Sequence, residues 1–545
     1  MPEQLSVRRV LGGRPFAEAG EPVVAVHCEA RGLVAVGGDL GELYWSGRSV
    51  KGWSGHRVGV YGAGELDCRQ VVSTRWPVNS ADFHPSLPLL AVGTGTYDGG
   101  YQFEGELLIV DLAGGGVVSA IDGCREVRRV RWRDDGRALE LVVAPFDEGH
   151  AEKPHAYGFA AVVEREDWCS VTDGSVTARE LTGPRVRAGQ RPEGVQEAAR
   201  EALAALCGAP PAKWSPRRRV WAVEALTDGR VLAALDGTAL ESWLPSGQLE
   251  WRRADPHGAR QLSVCPGEES AWVNLARPNR WTDSGWEDVP GVVERLSLAD
   301  GSVLAAAEVA FPALLTADLE GRIALRDTRL DGRKPPTVLL TPEHREPGSV
   351  VIGGYDTFNH YFPVRHSPEL LFLQGRKKKT WKDKRVVAVD LPADGGEPEI
   401  RRLFPLEWDT GRGAHLSGGP ALRLTGPGDG SGALVHAGSV HHPHGPQPGH
   451  AFVVRRRFPD GLPQWVFTAD HAVTDLDTDG DTVFAALTSG EVVAVDAADG
   501  TVRWRTRLTV DGVPAVALSL AAAGPRQLVL GTVDGRVLVC DTAAG

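Results

Sequence analysis

Lysine is scarce in this chain: nine in 545 residues, against fifty arginines, and the only methionine is Met1. With Ala, Val and Gly abundant, this is the residue bias of a GC-rich coding sequence. Arginine content therefore carries no functional message, and a bacterial source is expected. Paired cysteines are absent too. Cys28, Cys68, Cys124, Cys169, Cys207, Cys265 and Cys540 lie far apart with no CxxC spacing, which argues against a disulfide framework or a zinc site and for a reducing compartment. No apolar run approaches the roughly 18 residues of a membrane span, and MPEQLSVRRVLGGRPFAEAG has no signal-peptide core. The expectation is a cytoplasmic protein with no membrane partner. Positive charge is in deficit, 59 basic residues against 71 acidic, for a net −12 and a pI near 5.8. That excludes a general binder of nucleic acid or anionic membranes. Phosphate-loop (GxxxxGK[ST]), HExxH and GxSxG signatures are missing as well.

Turn formers, by contrast, are plentiful, with 66 Gly and 37 Pro. They punctuate short apolar stretches along the whole length, which reads as all-β. The clearest unit is AVTDLDTDG, TVFAALTSG, EVVAVDAADG, TVRWRTRL over 472–508: four strands, each closed by a turn. QLVLGTVDG and RVLVCDT then repeat its middle pair, so Gly490 answers Gly535 and Asp496 answers Asp541, both 45 residues on. That spacing is the length of one four-stranded propeller blade. The same grammar runs through 32–45, 89–111, 218–254 and 313–327, with less regular units starting near Glu126, Arg260, Val350 and Ala414. The count is eight to ten blades, in one ring rather than two.

VNSADFHPSLPLLAVGTG (78–95) resembles the opening strands of a WD-repeat blade. VFAALTSGEVVAVDAADGTVRW (483–504) resembles a quinoprotein-type repeat, with its run of Asp, Gly, then Trp. Together these resemblances reach about half of the chain and imply a β-propeller of four-stranded antiparallel blades. The one Trp-Asp dipeptide, Trp408-Asp409, does not close a clear third strand, so the WD pattern is partial. Quinoprotein enzymes would imply export and often a vicinal cysteine pair, and this chain has neither signal. No cofactor is expected.

The domain plan follows from these units. Residues 1–20 contain a strand-like LSVRRVL at 5–11 that is placed to complete the last blade, which stops after three strands near Asp541. Blades fill 21–182 and 218–545. Between them, 183–217 is an insertion in which RPEGVQEAAREALAALCG sets Val195, Ala199, Ala202, Leu203 and Leu206 on one face of a helix near 192–207, with Pro192 at its start and Gly208 after its end.

Long loops concentrate between second and third strands: 93–105, 145–158, 275–291, 374–385 and 437–450. Such loops share one end of a propeller, and exposed loops on a rigid scaffold are the usual place for binding. Tyr97, Asp98, Tyr101 and Phe103 in the first, and Arg280, Trp281 and Trp286 in the third, offer stiff aromatic surface beside charge, which suits a protein interface. Lys377, Lys378, Lys379, Trp381, Lys382 and Lys384 form the one dense cationic cluster. The 376–385 stretch is the single place where nucleic acid or a phosphorylated partner fits. Filling of the rim by these aromatics, and a solvated hairpin tip for the lysines, are the alternatives. His441, His442 and His444 are the candidates for metal, but their Gly/Pro spacing sets no ligand geometry, so no metal site is assigned.

The functional expectation is a non-catalytic intracellular scaffold that binds a protein partner through these loops. No small-molecule substrate is indicated and no catalytic residue is assigned. The alternatives are a propeller enzyme, hydrolase or lyase, with its site at the central channel, and a recognition subunit of a multi-gene bacterial system. Two or more inward-facing titratable groups with shifted pKa values at one opening would favour the enzyme.

Overall fold

In the computed structural model the strands group into ten main antiparallel sheets that follow the chain. The description covers residues 4–542 apart from 42, 46–47, 50–54, 101, 146–154, 212–213, 278–279, 283–284, 288, 328–335, 342–347, 354–360, 376–382, 392–395, 407–413, 425–431, 443–444 and 446. Sheet I contains Glu21–Cys28, Leu33–Asp39, His56–Gly62 and Cys68–Ser73; sheet II, Val78–Phe83, Leu89–Tyr97, Phe103–Asp111 and Val117–Ser119; sheet III, Val127–Trp132, Ala138–Val143, Tyr157–Glu164 and Arg185–Arg187. Sheet IV contains Val220–Ala225, Val231–Leu235, Thr238–Trp243 and Leu249–Ala254; sheet V, Ala259–Val264, Ser270–Leu275, Gly291–Ser297 and Val303–Val309; sheet VI, Ala313–Ala317, Ile323–Asp327, Thr337–Leu340 and Gly348–Val350. Sheet VII has Leu370–Gly375, Lys384–Asp390 and Glu399–Leu406; sheet VIII, His415–Leu424, Ala433–His441, Ala451–Arg457 and Pro463–Ala469; sheet IX, Val473–Thr478, Thr482–Leu487, Glu491–Asp496 and Val502–Arg507. Sheet X has Ala517–Ala522, Gln527–Thr532 and Val537–Thr542. Its fourth strand is Leu5–Leu11, antiparallel to Val537–Thr542 with Leu5 opposite Thr542 and Leu11 opposite Val537.

Burial explains why middle and outer strands read differently. Thr482–Leu487 is buried at every position, because sheets pack on both of its faces, whereas Val502–Arg507 is mostly exposed apart from Trp504. Continuous apolar runs and interrupted ones follow directly. The Asp-Gly-then-Trp pattern also has a packing cause. Gly500 has φ +80, and a Cβ there would sit 2.7 Å from the Trp465 ring of the preceding sheet; Gly301 stands in the same relation to Trp251. Only glycine supplies both the turn and the close approach.

Shared cores decide which sheets meet. Leu226 of sheet IV packs with Leu262 and Leu296 of V, Trp272 and Val293 of V with Leu315 and Ile323 of VI, and Leu339 of VI with Phe372 and Val387 of VII. Leu373 and Phe404 of VII then join Leu434 and Val454 of VIII, Val435 and Val453 of VIII join Leu476 and Val493 of IX, and Phe484 of IX joins Leu520 and Leu530 of X. Val529 and Val537 of X pack with Val220 and Val231 of IV, so the series returns to its start. Sheets I to III stand apart as an arc. Val58 and Val60 of I meet Val92 and Val110 of II, Leu107 and Ile109 of II meet Leu139 and Val143 of III, and among the described residues no core leads on from III.

The sheet count thus agrees with the expected eight to ten, and shared cores link them in two series, IV to X with X meeting IV, and I to III. Local strand spacing is the same in both sets, so it counts sheets without saying which ones meet. The sets join through Leu40 and Leu43 against Trp221, Val516, Leu518 and Val533, and through buried Arg536, whose guanidinium lies 3.0 Å from Glu18 and 2.6 Å from Asp534.

The helix, Val195–Leu206, lies against the first strand of sheet I, with Leu203 buried among Phe16, Val34, Val36 and Tyr61. The stretch before it runs along the first strands of the arc. Arg128 donates to Ala188 O (2.8 Å), Arg129 to Gln190 O (3.0 Å), Gln190 Nε2 to Gly95 O (2.7 Å) and Arg191 Nε to Val78 O (3.2 Å). Open edges that three sheets cannot close on themselves are covered in this way. No described helix is long and apolar enough to cross a membrane.

Candidate functional site

The first strand of each sheet is an edge, and its outward N–H and C=O groups need partners from elsewhere. Side chains of the neighbouring first strand supply them. Leu520 N donates to Asp475 Oδ2 and Ala522 N to Asp477 Oδ2, both at 2.8 Å, which ties sheet X to sheet IX. Ser519 Oγ donates to Val220 O (2.9 Å), and Gln261 accepts from Leu315 N (2.7 Å) while donating to Leu315 O (2.9 Å). The arc uses the same device, with Trp132 N on Asp82 Oδ2 at 2.7 Å and Val130 N on Ser80 Oγ at 3.1 Å.

A cleft of about 440 Å³ opens between these strands, lined by residues of sheets IV, V, VI, VIII and IX and by 361–367. It takes in the ends of the first strands of IV to VI (Leu226, Pro266 to Glu268, Leu319). Strand alternation puts those ends opposite the second-to-third-strand loops. At the cleft, Arg365 lies 3.1 Å from Asp477, 3.3 Å from Glu224 and 3.7 Å from Asp475. His366 is half exposed, and its Nε2 is 2.6 Å from Asp477 Oδ1. The hydrogen bond to Asp477 raises the His366 pKa. Burial raises the Glu224 carboxyl, with Arg365 opposing it. Burial would raise Asp477 as well, but Arg365 and His366 outweigh it and its pKa falls. For Arg365, burial opposes the charge and the three carboxylates more than restore it, so its pKa lies above the ordinary value. His366 has φ +55, the left-handed region that non-glycine residues occupy only when their surroundings hold them there. None of these four residues was singled out from the sequence. The available signal was Pro363, which has no N–H to give a sheet ladder.

Several expected site residues prove to be packed. Phe103 is buried, 3% exposed, with Tyr97 and His155 at ring distances of 5.0 and 5.1 Å and Arg128 over its face. Tyr97 Oη donates to Gly100 O (2.8 Å), and Asp98 Oδ1 accepts from Gly100 N (2.7 Å) and Gln102 N (3.1 Å). These residues hold their own loop, and Phe103 is withdrawn as a contact surface. Lys384 is fully buried at the start of its strand, so the exposed lysine run loses its last member. Arg280–Thr282 and Gly285–Glu287 pair as a hairpin with Trp281 opposite Trp286 in register. Tyr101, Lys377, Lys378, Lys379, Trp381, Lys382 and His444 lie outside the described residues.

His441 stacks on His415 at 6.4 Å, and His442 is partly buried. His436 is a core residue; burial, then the neighbouring Arg456, pushes its pKa down to about 3. Among the described residues no three His, Cys, Asp or Glu side chains are grouped to hold a metal ion. All seven cysteines are free.

No family model matches the chain, and no curated protein matches it.

Proposed function

We propose that sheets IV to X form a closed seven-bladed propeller of the broad WD-repeat and quinoprotein-like architecture, with sheets I to III as a side arc. We further propose that the molecule is a non-catalytic scaffold in a reducing, cytoplasmic setting. It docks a protein partner through the second-to-third-strand loops of the propeller, 275–291, 374–385 and 437–450. One observation carries the reading. The cleft carboxylates best placed for acid–base work, Asp475 and Asp477, accept backbone N–H groups of the next sheet, as Asp82 does in the arc. A role repeated in both sets supports a structural part for Asp475 and Asp477, and the reading assigns binding to the long loops.

The test compares affinity purifications of the full chain and of variants in which only the parts of these loops between the strands, 277–290 or 376–382, are replaced by a short Gly-Ser turn. A stoichiometric partner of the wild type should be lost from the loop variants at unchanged thermal stability. Recovery of the same partners at the same yield overturns the reading. If the lysine loop instead meets nucleic acid, binding weakens steeply with salt.

The criterion set for an enzyme is met at the cleft, where His366, Glu224 and Asp477 have shifted pKa values beside one opening. This favours a second reading, a propeller hydrolase or lyase in which half-exposed His366, oriented by buried Asp477, serves as general base. Under that reading, His366→Gln abolishes turnover of a substrate found by library screening while partner binding is retained.

A further inference from the structure

Within the cycle, sheet VII departs from the pattern. Its described strands number three, and Leu370–Gly375, the second strand elsewhere, stands first in the sheet order. Among the described residues the segment before it, 361–367, lies on sheet VIII, where Val364 and Arg365 are parallel to Ala421 and Leu422, and Ala421 N donates to Pro363 O at 2.9 Å. Pro363 limits the pairing of this segment: it has no N–H to give a ladder and fixes its own backbone angle. Side chains reach the backbone on either side of the gap, with Arg326 donating to Leu373 O and Gln374 Nε2 to Ile352 O.

Beyond Pro363 the segment touches most of the cycle. Arg365 Nη1 donates to Asp477 Oδ2 (3.1 Å) in sheet IX and Leu520 O (2.8 Å) in sheet X, and Nη2 to Val223 O (3.3 Å) in sheet IV. His366 adds its bond to Asp477 from a left-handed backbone. Leu319 N, at the end of the first strand of sheet VI, donates to Ser367 O at 2.8 Å. One side chain, Arg365, makes the contacts to sheets IV and X.

We propose that residues 361–367 are a strap across the middle of the propeller, with Arg365 as the latch that holds it away from the first-strand position of sheet VII. The inference rests on the closed-ring reading above. Strap closed, the cleft opens at one end; strap released, the channel is continuous.

The experiment uses the full-length protein and its Arg365→Met variant, which keeps length and removes charge. Hydrogen exchange is followed by peptide mass spectrometry. The strap predicts at least tenfold faster exchange in peptides covering 361–367 and 418–424. Exchange in sheets I to III and in Leu5–Leu11 should match wild type. Unchanged exchange at 418–424 removes Arg365 as a latch, and equal loss of protection in all ten sheets shows a global core element instead of a strap. Should Arg365→Met not fold, Asp477→Asn, which weakens the same contact, is read by the same criteria. Fast exchange in both Val220–Ala225 and Ala517–Ala522 of the wild-type protein breaks the closed ring itself, a result separate from either outcome at 418–424.

Discussion

The seven-sheet cycle and the three-sheet arc are built from one unit and solve the same edge problem in different ways. In the IV-to-X series each sheet has two neighbours because sheet X meets sheet IV, and Leu5–Leu11 supplies the fourth strand of sheet X by pairing with Val537–Thr542. In the arc the series stops at sheet III, and the inner edges are covered by 188–191 and the Val195–Leu206 helix. Side-chain staples between first strands occur in both, at Asp475 and Asp477 in the one and Asp82 in the other. The unit therefore does not determine closure. The number of copies and the available covering segment do.

The largest effect that can break this comparison comes from the fourth strand of sheet X. Removing residues 4–11 takes away two buried leucines, each worth about 2–5 kcal/mol by truncation data, and bares the edge of Val537–Thr542. Calorimetry should show the main transition of the cycle lowered or lost, with the arc following through its shared junction. An unchanged transition would mean that the fourth strand of sheet X is dispensable to that sheet.

Next in size, Leu203→Ala empties a fully buried site between helix and sheet I. The expected cost is about 2–5 kcal/mol, confined to the arc: hydrogen exchange should quicken in sheet I and stay at wild-type rates in sheet VI. Equal quickening in both would make the two sets one cooperative body.

Smaller again, Asp82→Ala and Asp475→Ala each strip a partner from a backbone N–H of the next sheet, worth about 1–3 kcal/mol. Chemical denaturation should give losses of similar size for the two. A stabilising Asp475→Ala beside a destabilising Asp82→Ala would reassign the cleft residue to a site built at the expense of stability.

The smallest effects concern pH and two histidines of the cycle that act in opposite directions. His366 has a raised pKa, so its contribution is complete below the ordinary value of about 6.5 and is lost as pH rises through its folded value. His436 is held neutral to about 3, so it weakens the fold as pH falls from about 6.5 towards 3. Thermal midpoints of His366→Gln should converge with wild type on the alkaline side, and those of His436→Gln should lose least on the acid side. Parallel curves for wild type and both variants would contradict these environments.

Sheet boundaries were legible because each turn carries its own signal. Gly490 and Gly535 both take φ above +80 at equivalent turns, and the Gly500–Trp465 contact is written in the chain as an Asp-Gly-then-Trp run. The helix and the pairing of the first segment with the last were legible for similar reasons, one from periodicity and the other from the missing fourth strand. Which sheets meet was not, since Val220 and Val529 are brought together by the curvature of seven units and by no local pattern. Arg365 and His366 were equally hidden: one arginine among fifty acquires its partners only when three distant sheets converge on it. Phe103 and Lys384 failed in the other direction, because a loop composition rich in aromatic or basic residues does not reveal which of them turn inward.

The contact between sheets X and IV is where closure of the cycle stands or falls, because among the shared cores of sheets IV to X it alone joins sheets that are not successive in the chain. A Cβ built on Gly531 lies 2.8 Å from Val220 Cβ, within about 1 Å of disulfide geometry. The double variant Val220→Cys, Gly531→Cys should form an intramolecular disulfide on mild oxidation, found as a linked peptide by mass spectrometry. A folded double variant in which these two thiols never cross-link would contradict the closed ring.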